Sequence, residues 1–189
     1  ADFQEAREFA GQLAARDGLH FVPSFDRTLV AGVATAAIEL LRAVPGIDTL
    51  YVPIGLGSGI CGAVAARDAL GLPVEVVGVV SAHARAYAVS FAARRPIESP
   101  VSTVLADGLA CRTPDPQALE IICRSVDRIV EVSDEEVADS IRILFRATHN
   151  CAEGAGAAAF AAVRQEKHRL AGRKVAAMLT GANVDADVY

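Results

Sequence analysis

Five consecutive residues, Gly55-Leu56-Gly57-Ser58-Gly59, stand between a short apolar run, Thr49 to Pro53, and a helical pattern. Glycines at Gly55, Gly57 and Gly59 can take positive φ and bring backbone N–H groups close to a ligand, and the helix that follows begins its positive dipole end at the same place. The chemistry this spacing suits is anion binding, with phosphate the expected occupant. Ser58 adds a hydroxyl that either joins the cradle or serves as a small turn residue. Near the other end a second apolar run, KVAAMLTGANVD, leaves its strand at Thr180 and turns through Gly181 and Asn183. The Thr180 hydroxyl can satisfy turn backbone or face a ligand. Glu153 opens an alanine-rich helical run, where the helix dipole favours a carboxylate.

These motifs, in this order, resemble the large domain of the fold-type II pyridoxal phosphate enzymes, and within them the serine/threonine dehydratases. Val52-Pro53 entering the glycine loop is similar to the family's phosphate-holding turn. Upstream, PSFDRTLVAGVATAAIEL from Pro23 to Leu40 resembles the family's Pro-Phe-Asp segment, then Ala-Gly-x-x-Thr and a helix ending in Glu-Leu. Downstream, Ala106-Asp107-Gly108 and Ala152-Glu153-Gly154-Ala155-Gly156-Ala157 match further short motifs. The Thr180-Gly181-Ala182-Asn183-Val184 turn resembles the segment whose hydroxyl or thiol residue bonds the pyridine nitrogen. The resemblance implies pyridoxal phosphate as cofactor, held by Gly55, Leu56, Gly57, Ser58, Gly59, Glu153 and Thr180, and a hydroxy amino acid, threonine or serine, as substrate. The implied reaction removes the α-proton and the β-hydroxyl, and hydrolysis then gives a 2-oxo acid and ammonia. A threonine hydroxyl only hydrogen-bonds a pyridine nitrogen, which leaves the ring a weaker electron sink than an aspartate would, and this suits prompt elimination. A homo-oligomer is the family expectation.

The sequence departs from the family in one chemical essential. The cofactor is normally carried as a Schiff base on a lysine in a Ser-x-Lys-x-Arg-Gly type motif, and the lysines here are Lys167, in the polar run RQEKHR, and Lys174, just ahead of a strand. Both read as solvated surface charges. The family's Ser-x-Gly-Asn substrate loop is absent too, so no catalytic residue is expected in this chain, which reads as the C-terminal part of a longer enzyme, inactive alone. Leu56 also interrupts a loop that the family keeps nearly all glycine. A rival reading remains, a non-catalytic or NAD-type module, because Gly57-x-Gly59-x-x-Gly62 fits the dinucleotide fingerprint. That fingerprint expects an acid at the end of the next strand, where VEVVGVVSAH offers Val80 and Ser81.

Composition narrows the classes further. The 189 residues are 52% hydrophobic with a net charge of −5, enough for one substantial core in a single α/β domain spanning 1–189. Without a Lys/Arg stripe, nucleic acid and anionic membrane surfaces are not expected partners, and no apolar stretch reaches membrane-span length. Cys61, Cys111, Cys123 and Cys151 form no C-x-x-C pair, which favours reduced thiols in a cytoplasmic protein. Cys61, just past the glycine loop, reads as a small core residue. His20, His83, His149 and His168 lack ligand spacing, and relatives' cation-binding Glu and Asp are replaced by Val80 and Ala86, so no metal is expected.

The elements that must position the turns alternate along the chain. Helical spacing is read over Asp2 to Arg16, from an Asp26 cap through Leu41, over Gly59 to Leu70, His83 to Arg94, Asp115 to Arg124, from the Ser133/Glu136 capping box towards Thr148, and over Glu153 to His168. Strands are read at Leu19 to Val22, Thr49 to Pro53, Val74 to Val80, Asp127 to Val132 and Arg173 to Leu179. Continuous apolar strands such as VEVVGVV, separated by helices, predict a doubly wound, mostly parallel sheet covered on both faces, with ligand turns at the strands' C-terminal ends.

Overall fold

Four short strands, β1 (Thr49–Pro53), β2 (Glu75–Ser81), β3 (Arg128–Val132) and β4 (Val175–Ala177), pair in the order β3-β2-β1-β4 with every pairing parallel. This is the predicted α/β sheet, seen in a computed structural model that describes residues 3–186. Helices α1 (Phe3–Asp17), α2 (Arg27–Ala43), α3 (Ser58–Ala69), α4 (Ala86–Ala93), α5 (Pro116–Ser125), α6 (Asp134–Thr148) and α7 (Gly154–Gln165) connect and cover it. Asp2, the proposed start of the first helix, lies outside the described residues.

The period of two along each strand sorts the core into two layers. Leu50, Val52 and Ile54 of β1 and its exit pack with Val76 and Val80 of β2 against Val30, Ala37 and Leu41 of α2, Ile60 and Val64 of α3, and Leu119 and Ile122 of α5. Tyr51, Val77, Val79, Val130 and Val132 face the other way, onto Val137 and Ile141 of α6 and the alanine face of α7. Gly78 keeps β2 bare where Ile54 and Ile60 converge, since a Cβ there would lie 2.5 Å and 3.2 Å from their Cδ1 atoms.

Local signals fixed most boundaries. Asp26 caps α2 by accepting from Thr28 N at 2.7 Å, and the Ser133/Glu136 box closes reciprocally, with Glu136 N donating to Ser133 Oγ at 3.2 Å and Ser133 N to Glu136 Oε2 at 2.8 Å. Three expectations fail or shrink, besides the helix expected over Glu153 to His168, which spans Gly154–Gln165. Leu19 to Val22 forms no strand: Leu19 and Val22 are 62% and 69% exposed and join no sheet. The helix expected from His83 begins at Ala86, because His83 N is taken by Ser81 Oγ at 3.0 Å and Ala84 pairs with Val101 in an isolated antiparallel bridge. The last strand spans Val175 to Ala177 instead of Arg173 to Leu179.

Pro53 accounts for the early end of that last strand and for the site it leaves open. Along β1, Thr49 N and Tyr51 O bond towards β4, to Lys174 O at 3.4 Å and from Met178 N at 3.0 Å, whereas Ile54 N bonds to Val79 O of β2 at 2.8 Å. The next residue due to face β4 is Pro53, which has no N–H to give. The β1–β4 ladder therefore ends and the two chains part, at the point where the strand order reverses.

The opposite edge is tied by charge. Arg128 at the start of β3 pairs with Glu75 of β2 and with Glu166 beyond α7 (2.7 Å), and Tyr51 donates to Glu166 at 2.5 Å. Burial, then the Glu166 carboxylate, pushes the Tyr51 phenol from its ordinary value near 10 up to about 12. A raised pKa means that the neutral phenol favours the folded state and that this contribution is lost as pH climbs through the window from about 10 to about 12. Urea unfolding across that window is expected to show falling stability, with Tyr51→Phe removing its share of the slope; Tyr87, also raised by burial, adds the same sign. An unchanged slope in the variant would exclude Tyr51 as a contributor.

Candidate functional site

The parted ends of β1 and β4 frame a cleft of about 460 Å³, within the size range of small-molecule sites. Its lining contains Gly55, Leu56, Gly57, Ser58 and Gly59 from the turn after β1, Glu153 at the start of α7, and Thr180 after β4. All seven residues singled out in the sequence thus meet in one place. It lies at a switch point outside the carboxyl ends of parallel strands, where open α/β sheets bind ligands.

Within the turn the three glycines have different duties. Only Gly57 takes a positive φ, +107°, as the N-cap of α3. Gly55 keeps an ordinary φ but must be bare, because a Cβ would collide with the carbonyl oxygen of Gly108. Gly59 has room for a Cβ, with Val52 Cγ1 3.9 Å away. Cys61 N is the first amide to donate back into the helix, to Gly57 O at 3.0 Å. The N–H groups of Ser58, Gly59 and Ile60 therefore have no partner within the helix, and they sit at its positive end. Leu56 is half-buried and packs on the first core layer, so its side chain is accommodated by the interior.

Glu153 ties the second turn to the site. Its amide donates to Gly181 O at 3.1 Å, and its carboxylate accepts from Asn183 N at 3.0 Å rather than capping its own helix. A Cβ on Gly181 would collide with that carboxylate. The Thr180 turn is thus held against the α7 N-terminus by a charge-assisted bond.

Other sequence candidates fall outside the cleft. Cys61 is buried in the first turn of α3, donates weakly to Ala118 O at 3.8 Å, and has its thiol pushed up to about 12 by burial, so it is no nucleophile. His20, His83, His149 and His168 are all exposed. Lys174 donates to Pro45 O at 2.8 Å from the amino-terminal edge of the sheet. Lys167 follows α7, whose 12 residues set it about 18 Å beyond Glu153. At the end of β2 stands Ser81, fully buried with its hydroxyl on His83 N, so no acid waits there for a ribose. Gly62, the last glycine of the dinucleotide pattern, instead allows α3 onto α2, where a Cβ would lie 3.0 Å from Ala34 N.

Reasoning from sequence missed part of the lining. Val33, Ala36 and Ala37 of α2, Leu109 and Met178 contribute apolar wall. Gly108 and Leu109, in the 3-10 turn Asp107–Leu109, could have been suspected from the Ala106-Asp107-Gly108 motif. Tyr87, beneath the glycine turn, carried no signal in its alanine-rich surroundings.

Comparison with known proteins identifies the family and the fold. Residues 1–181 match the family model described as pyridoxal-phosphate dependent enzyme. The chain is 33% identical over 187 residues to the L-threonine ammonia-lyase of Thermotoga maritima, covering 98% of this chain and 46% of that protein. It is 30% identical over 188 residues to an L-threonine dehydratase, catabolic TdcB, of Staphylococcus aureus, covering 97% and 54%. The crystal structure of the T.th. threonine deaminase superposes with a TM-score of 0.84 at 31% identity, over 92% of this chain and 65% of that one. The processed threonine deaminase isoform 2 of Solanum lycopersicum superposes with a TM-score of 0.91 at 24% identity, over 98% and 55%, a likeness of fold. The chain spans about half the length of the curated relatives it matches.

Proposed function

The chain belongs to the pyridoxal-phosphate dependent enzyme family, and on that premise we propose that it is the phosphate- and ring-holding part of a threonine or serine ammonia-lyase. The observation that carries the proposal is the meeting of the glycine turn, Glu153 and Thr180 in one cleft at the strand-order reversal. The residues present fit the phosphate and ring of the cofactor. The bare, positive-φ Gly57 and the N–H groups at the start of α3 that have no partner within the helix suit a phosphate dianion, and the apolar wall of Val33, Ala36 and Met178 suits a flat ring. Bound there, pyridoxal phosphate supplies the electron sink that makes the α-proton of an amino acid removable.

This chain's own residues would bind and orient. Ser58, Gly59 and Ile60 would give N–H bonds to phosphate oxygens. Thr180 would donate a hydrogen bond to the ring nitrogen without transferring its proton, since an aliphatic hydroxyl is far too weak an acid to protonate a pyridine. Glu153 would hold the Thr180 turn in register through Asn183 N. The net reaction removes water across Cα and Cβ and returns water during hydrolysis, so a hydroxy amino acid gives a 2-oxo acid and ammonia. The names of the relatives support threonine as substrate. The NAD-type alternative lacks its ribose acid, since β2 ends in Val80 and Ser81. Among the described residues no helix is long and apolar enough to cross a membrane; a cytoplasmic site of action follows the same reading.

The proposal is tested by binding. Pyridoxine phosphate, which has ring and phosphate but no aldehyde to react with surface lysines, is expected to bind the chain at least about a hundredfold more tightly than pyridoxine, given several charge-assisted bonds to phosphate. Inorganic phosphate should compete. Equal affinity for the two vitamers, or displacement of both by NAD, would sink the reading.

A further inference from the structure

Tyr87 of α4 is fully buried under the glycine turn, with its hydroxyl between two backbone groups. It donates to Leu56 O at 2.5 Å and accepts from Asp115 N at 3.1 Å. Asp115 in turn caps α5, accepting from Gln117 N at 2.9 Å and Ala118 N at 3.1 Å. One phenol therefore links the turn after β1 to the start of a helix far along the chain.

We infer that Tyr87 is a positioning residue for anion binding: by holding the Leu56 carbonyl towards the core, it turns the Gly57 N–H outward, towards the cleft. The step follows from the peptide bond itself. All described peptide bonds are trans, and in a planar trans peptide the C=O of one residue and the N–H of the next point in opposite directions. Fixing Leu56 O therefore fixes Gly57 N–H. Without the phenol, this peptide precedes a residue free to take either sign of φ, so it can flip and place a carbonyl dipole against the anion. The same hydroxyl lies 3.2 Å from where a Cβ on Gly57 would sit, so the bare residue and the phenol are matched parts of one contact. Burial pushes the phenol well above its ordinary range, which keeps the donor proton in place.

This inference rests on reading the turn as a phosphate cradle, and the experiment separates the two. Affinities for pyridoxine phosphate and pyridoxine are measured on the 189-residue chain and on Tyr87→Phe. Tyr87→Met, which fills much of the same volume without a hydroxyl, is made alongside in case the first variant folds poorly, and melting curves and amide spectra establish folding. The variants are expected to lose about tenfold in phosphate-dependent preference, the ratio of the two affinities, while pyridoxine itself changes less than about twofold. The Gly57 amide resonance should shift on adding inorganic phosphate to the unsubstituted chain and much less in the variants. A merely structural Tyr87 would lower the melting temperature and leave the ratio intact, which overturns the inference alone. No phosphate preference in the unsubstituted chain overturns the cradle reading and this inference together.

Discussion

Gly57→Ala is expected to abolish phosphate-dependent binding, with a loss of at least about a hundredfold for pyridoxine phosphate, and to lower the unfolding free energy by about 2 kcal/mol. Two independent penalties act at this residue. A side chain at φ +107° occupies backbone space that L-residues rarely enter, at a cost of about 1–3 kcal/mol. The added Cβ would also lie 2.8 Å from Ala118 Cβ and 3.2 Å from the Tyr87 hydroxyl, so something must move. Ala118 sits in the first turn of a packed helix and is fully buried, and Tyr87 is held by two hydrogen bonds. The cheapest relief is rotation of the turn, which breaks the Leu56 carbonyl contact and withdraws the N–H groups aimed at the anion. Gly71→Ala is the control: its φ is +62°, and nothing lies within 4 Å of the added carbon. That substitution should cost stability by about 1 kcal/mol and leave ligand affinity unchanged. Retained affinity in Gly57→Ala would remove the cradle from the account of the site.

The contrast between these two glycines marks where sequence reasoning reached and where it stopped. Both are glycines beside a helix end, and nothing in the linear pattern says that one is walled by Ala118 and Tyr87 while the other faces open space. Signals carried by neighbouring residues were readable: Asp26 and the Ser133/Glu136 pair cap their helices as expected, because a cap depends on contacts within three residues. The continuous apolar runs of β1 and β2 announced a buried parallel sheet for the same reason, each strand being covered on both faces. Properties that depend on distant partners were not readable. Leu19 to Val22 has strand-forming residues but finds no ladder. Pro53 was noticed as part of a motif, yet its effect, ending the β1–β4 ladder and opening the cleft, appears only once Thr49 and Tyr51 are known to face β4. Glu153 was legible as a helix-start carboxylate, but its bond runs to Asn183, 30 residues away.

Loaded with pyridoxal phosphate, the 189-residue chain is expected to release no 2-oxo acid from threonine or serine above the rate of free cofactor. The reaction needs a base that can reach Cα, and in an enzyme of this kind the amine that carries the cofactor is suited to the task. The sequence offers two lysines, and neither approaches the cleft: Lys174 is bonded to Pro45 O at the far edge of the sheet, and Lys167 lies past the distal end of α7. A carboxylate could serve as base in principle, but Glu153 is engaged through one oxygen with Asn183 N, holding the turn that carries Thr180. Binding and turnover are therefore expected to separate in this chain. Pyridoxine phosphate should bind through the glycine turn, while a coupled assay for 2-oxo acid should stay flat at any substrate concentration. Threonine-dependent turnover by a homogeneous preparation would show that a group within these residues performs the proton transfer, and Glu153→Gln would then be the variant to examine, with loss of turnover but retained pyridoxine phosphate affinity identifying it as the base.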